Sequence, residues 1–169
     1  MLDDLSGALA DLVRLPGAQH IQNIHPLIVH FPIALLFAAT LGYWMGFLAR
    51  RDGWQWGALW MLLLGVLGAA AAVASGLYSA PGVMLAPSVK SALLAVHERI
   101  MIAVLALSAV LALWAIAGRP MPVRGRGLFL AALLVLCALI AKGADYGGRM
   151  VYDYNAGGYA CSQPIEFSQ

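Results

Sequence analysis

Charge and cysteine are both scarce in this chain, and each scarcity removes whole classes of function. Only 11% of the 169 residues are charged, where a soluble domain carries about a quarter. The formal charge is +2, and the basic residues sit in short loops rather than along a stripe, which argues against nucleic-acid binding. Of the two cysteines, Cys137 lies inside an apolar block and reads as packing, and Cys161 lies in the tail. Neither CxxC nor CxxCH occurs. That excludes a disulfide framework, thioredoxin-like chemistry, covalent c-type haem, and a cysteine-built zinc or iron–sulfur centre within the chain. The first twenty residues do not read as a signal peptide: Asp3, Asp4 and Asp11 stand where basic residues belong, and no apolar run precedes Pro16.

What is present is apolar sequence, 62% of the chain, gathered in blocks of membrane-spanning size. A hydrocarbon core of roughly 30 Å needs about 20 apolar residues per helix. Four blocks qualify: Pro26 to Ala49, Trp54 to Ser79, Ser91 to Ala117, and Leu128 to Tyr146. The expected fold is an all-α integral membrane four-helix bundle. It has a tail or interfacial helix over 1–24 (Leu5, Leu9, Leu12 and Val13 on one side), a transmembrane domain over 25–149, and a tail over 150–169. Pro32 should kink the first helix or free a carbonyl near Ile28. Gly53 marks the first turn. Trp54, Trp56 and Trp60 suit a membrane interface. Gly65, Gly68, Ala69, Ala72 and Gly76 would let a neighbouring helix approach helix 2 closely. Gly147 and Gly148 suit a helix stop, followed by an extended or interfacial MVYDY segment.

The loops set an orientation. Arg50, Arg51, Arg119, Arg124 and Arg126 lie at one end against Asp52 alone. The positive-inside rule puts that end in the cytoplasm and both termini on the other side. In a bacterial inner membrane that side is the periplasm.

Chemistry concentrates at the opposite, outer mouth. His25 opens helix 1, and His30 lies about 7.5 Å deeper and about 140° around the helix. His97 enters on helix 3 at a depth comparable with His30. Ionisable residues within spans usually face a bundle interior, and imidazoles from two helices suit axial ligation of a b-type haem. His30 and His97 are the expected axial pair, with His25 at the mouth. Arg99, Lys142 and Arg149 are the cations placed to neutralise propionates. Lys142 and Asp145 are spaced for contact, and Glu98 for a network with Arg99 or Lys142. Two other readings stay open: zinc or copper held by His30 and His97 with His25 and Asp145, and plain interhelical hydrogen bonding by the histidines.

The string HPLIVHFPIALL, His25 to Leu36, resembles the opening of the DUF2231 family of predicted bacterial membrane proteins, HPxxVHFPIxL. The likeness extends over residues 22 to about 160. It takes in Ser75-Gly76, His97, and a closing segment with Gly147, Gly148, Val151, Tyr152 and Tyr154. The resemblance implies a redox setting, because such domains occur beside Rieske-type or cytochrome modules. The leading expectation is therefore a membrane electron-transfer subunit with haem b near the periplasmic face. Its partner would be a periplasmic redox protein, a quinone or another membrane subunit. The alternatives are a cofactor-free structural or assembly subunit, and a metal-handling protein or small transporter.

Overall fold

The computed structural model describes residues 23–156, and among them every long element is a helix. The segment expected to form an N-terminal helix over 5–15 lies outside the described residues, as does the tail beyond 156. Helix α1 spans His25–Ala49, α2 Asp52–Ser79, and α4 Arg126–Tyr152. Between α2 and α4, α3 runs from Pro87 to Gly118, with a π-turn at Lys90–Leu94 ahead of its regular part, Ala95–Gly118. Each of the four is long and apolar enough to cross a bilayer.

The local causes are readable. Pro26 occupies the first turn of α1, where its missing N–H costs nothing. α1 stays helical through Pro32 and closes at Arg50, whose left-handed backbone (φ 52°) returns its N–H to the carbonyls of Gly46 and Phe47. The turn therefore lies at Arg50 and Arg51, and Gly53 falls inside the first turn of α2 rather than marking the reversal. Asp52 in that turn suits the positive helix start. α3 begins at Pro87, earlier than Ser91, again with proline in the first turn. α4 does not stop at Gly147 and Gly148 but continues to Tyr152, so Met150 to Tyr152 are helical rather than extended.

The helices run alternately up and down. Each packs on its chain neighbours, and α4 returns to α1, so α1 and α3 stand on one diagonal of the bundle. The α1–α2 seam runs in steady antiparallel register. A Cβ on Gly46 would meet Gln55; one on Gly42, Ala58; one on Gly65, Leu36; one on Gly68, Phe31 and Pro32; and one on Gly76, His25. Small residues thus let the two backbones approach along the whole length, and they fix which face of α1 turns inward.

The core is aliphatic in its middle, with Leu36, Leu62, Leu111, Leu133 and Leu136 buried, and aromatic at the arginine-bearing end. There the fully buried Tyr43 packs edge-on against Phe129, ring centroids 5.0 Å apart, and Trp114 packs against the same ring at 5.7 Å. The Tyr43 hydroxyl donates to the Pro120 carbonyl at 3.0 Å, tying α1 to the α3–α4 loop. Several polar side chains within the spans are satisfied inside the bundle, although the buried Trp44 Nε1 and Arg126 Nε have no acceptor among the described residues. Thr40 donates to the Leu36 carbonyl, Ser108 to Leu105, and the Cys137 thiol to Thr40 Oγ at 3.3 Å. Leu41, Leu67, Leu113 and Leu128 are exposed on the outside, as expected where the surrounding solvent is lipid.

Candidate functional site

Two of the three mouth histidines meet. His25, from the first turn of α1, and His97, from α3, approach across the diagonal with ring centroids 6.4 Å apart and planes at 85°. Each ring is held by a hydrogen bond to a neighbouring helix. His97 Nδ1 lies 2.8 Å from the Gly143 carbonyl on α4. A carbonyl only accepts, so Nδ1 carries the proton. His25 Nδ1 lies 3.0 Å from Ser75 Oγ on α2. That hydroxyl already donates to the Ala72 carbonyl, so it accepts from His25, and again Nδ1 is protonated. A neutral imidazole with its proton on Nδ1 keeps a lone pair on Nε2.

Glycine makes the room. A Cβ at Gly76 would sit 2.9 Å from His25 Cε1, and one at Gly147 would sit 3.3 Å from His97 Cε1. A Cβ at Gly143 would run into Met101, so α3 and α4 are closely apposed where the Gly143 carbonyl receives His97. The two glycines read from sequence as a stop are therefore parts of a continuing helix, and one of them is the seat of an imidazole.

His30 goes elsewhere. It is exposed, and its Nδ1 donates to the Pro26 carbonyl one turn back on its own helix. The structure brings His25, not His30, to His97. The reason is helical phase. His25 precedes the buried Leu36 by eleven residues, within about 20° of three full turns, whereas His30 precedes it by six and lies roughly 120° away. The expected depth match of His30 and His97 is overruled by direction.

The cations of the mouth are dispersed. Arg149 pairs with Asp153 at 3.5 Å. Lys142 Nζ lies 5.2 Å from the centre of the Tyr146 ring, and Asp145, three residues along, is exposed with no ion pair among the described residues. Arg99 is exposed, and Glu98 is half-buried without an ionic partner among the described residues. Nor do three or more His, Cys, Asp or Glu side chains among the described residues gather as they would around a metal ion.

The family comparison fits this arrangement: the match, to a family described as predicted membrane protein, covers residues 21–159. The chain belongs to the DUF2231 family. No curated protein and no solved structure matches it. In this DUF2231 protein the opening motif divides by face: His25 and Pro32 turn toward α2 and the bundle, and His30 turns out. Sequence reasoning assigned no task to Gly143, gave Gly76 helix packing alone, and noted Ser75 only as part of the family likeness. The available signals were the Ser75-Gly76 pair late in α2 and the four-residue spacing of Gly143 and Gly147 on α4, which puts both on one helix face.

Proposed function

We propose that this protein is a membrane electron-transfer subunit that holds a b-type haem at its outer mouth, where His25 and His97 would hold it. The observation that carries the reading is the imidazole pair itself. His25 and His97 stand with ring centroids 6.4 Å apart, and each would offer the iron an imidazole nitrogen, a normal haem ligand. Both Nδ1–H groups are tied to protein oxygens, the arrangement that fixes tautomer and ring direction in metal-ligating histidines. Ser75 and the Gly143 carbonyl are thus positioning groups, and Gly76 and Gly147 form the cradle. Bound there, haem would supply one-electron chemistry, with the protein contributing ligation, orientation and field. Arg99, free of ion pairs among the described residues, is the cation best suited to a propionate. The electron partner would be a periplasmic redox protein, a quinone or another membrane subunit, in a bacterial inner membrane.

A second reading rests on the same bonds. His25 to Ser75 joins α1 to α2, and His97 to Gly143 joins α3 to α4, which would equally serve a cofactor-free assembly subunit.

Spectra separate the two. The detergent-solubilised protein, made with haem supplied in excess, is recorded oxidised and dithionite-reduced beside His25→Ala, His97→Ala and His30→Ala. The expected result is a b-type Soret and alpha band in the wild type and in His30→Ala, lost in the other two variants. A folded, colourless wild type overturns the haem reading and leaves the assembly role.

A further inference from the structure

The arginine-bearing end carries a second set of groups, remote from the histidines and independent of any cofactor there. Arg50, Asp52, Gln55 and Arg126 line one cavity, walled by Phe47 and Leu48. It forms where α1 ends and where α2 and α4 begin.

Three observations point to an anion. Gln55 is 8% exposed and lines the cavity, and its side chain has no hydrogen-bond partner among the described residues. Arg126 Nε is buried and has no acceptor; an unpaired guanidinium N–H away from water is a standing cost that a negative oxygen removes. α4 starts at Arg126 behind Gly125, with no side-chain cap and no acid in its first turn. Its free N–H groups and dipole therefore favour negative charge at the same place. Arg50 and Arg126 outweigh Asp52, so the lining is net positive.

A further pair of observations makes that anion amphiphilic. The walls, Phe47 and Leu48, are exposed on the outer surface of a membrane-spanning helix, Leu48 at 72%. Trp54 and Trp56 stand exposed in the first turns of α2 beside it, the residue type that settles at headgroup level.

We propose that this cavity binds the headgroup of an anionic phospholipid. Arg50, Arg126 and the first turn of α4 hold the phosphate, Gln55 donates to it, and the acyl chains lie along Phe47 and Leu48. Asp52 accepts a headgroup hydroxyl.

Native mass spectrometry of the full chain in mild detergent tests this with phosphatidylglycerol and phosphatidylcholine of identical chains. The wild type should retain phosphatidylglycerol over phosphatidylcholine by roughly tenfold or more, the scale of two basic contacts at a membrane surface. An R50Q/R126Q variant should lose that preference. R119Q/R124Q, with the same charge change at the same end but outside the cavity, should keep it. Equal retention of the two lipids by the wild type overturns the proposal, without recourse to any variant. So does an equal loss of preference in both double variants, which would mark diffuse attraction. Displacement of phosphatidylglycerol by excess inorganic phosphate would assign the groups to a soluble anion. A dimer that dissociates in R50Q/R126Q would assign them to a second copy of the chain. Either result refutes the lipid.

Discussion

Gly147 and Gly148 are chemically identical neighbours with opposite surroundings. A side chain at Gly147 would press on His97, whereas one at Gly148 would meet only the Tyr152 ring, no nearer than 3.9 Å. Glycine within a helix costs about 1 kcal/mol relative to alanine, so its retention at Gly147 has a packing reason. Gly147→Leu is expected to displace the imidazole from the Gly143 carbonyl and to destabilise the protein by about 1–3 kcal/mol, the usual range for overpacking. Gly148→Leu should be neutral or slightly stabilising. Thermal unfolding in detergent measures both, and equal melting temperatures would mean that His97 is not seated against Gly147. The pair also shows where sequence reading stops. Two adjacent glycines near the end of an apolar block carry the same local signal as a helix C-cap. What decides between cap and cradle is a ring arriving from another helix, and a single sequence does not contain that arrival. His25 and His30 pose the same problem in milder form. Their divergence of about 140° was derivable, so one of them had to face away from any shared object. Which one depended on the phase of α1, and that is set by Leu36, Tyr43 and Gly46 far from the mouth.

At the level of elements, the blocks themselves were plain because bilayer thickness dictates their length. All four helices lie where apolar runs place them, with ends differing by a few residues. Those differences are where a cap or turn overrides hydropathy, as at Arg50, or where α4 runs on past its glycines. The seam between α1 and α2 is the element-scale feature on which the histidine pair depends, since it fixes both the rotation and the depth of His25. A Cβ at Gly68 would come within 2.9 Å of Phe31 and 3.3 Å of Pro32, while one at Gly57 would meet open space. Gly68→Ile should therefore wedge the seam apart and cost about 1–3 kcal/mol. Gly57→Ile, on the same helix, should leave the melting temperature unchanged or raise it slightly, because any residue but proline improves on glycine in a helix. Should Gly57→Ile prove the more damaging, the register described for α1 and α2 is not the one in the membrane. If the histidine pair binds haem, Gly68→Ile should also weaken the visible spectrum without touching either ligand, since His25 moves with α1.

Taken whole, the molecule is polarised along its axis. The histidine pair, its glycine cradles and the dispersed cations occupy one end. The Tyr43–Phe129–Trp114 cluster and the arginine loops occupy the other, and four antiparallel helices necessarily return both ends of the spanning domain to the histidine side. The arginines at the end remote from the histidines supply the orientation argument: five against Asp52, with only Lys90, in the first turns of α3, at the opposite turn. Short loops are the setting in which the positive-inside bias operates most strongly, and both arginine loops are short. A reporter active only outside the cytoplasm should thus be silent when fused after Gly53 and active when fused after Ala156. Replacing Arg50, Arg51, Arg119 and Arg124 by glutamine should weaken that contrast, with Arg126 spared because its Nε is buried at the start of α4. The reverse pattern would leave every intramolecular contact as described and still move the histidine pair to the cytoplasmic face. The proposed electron partner would then have to be sought among cytoplasmic proteins. Orientation is thus the measurement on which the side of the chemistry depends, although the geometry of the site does not.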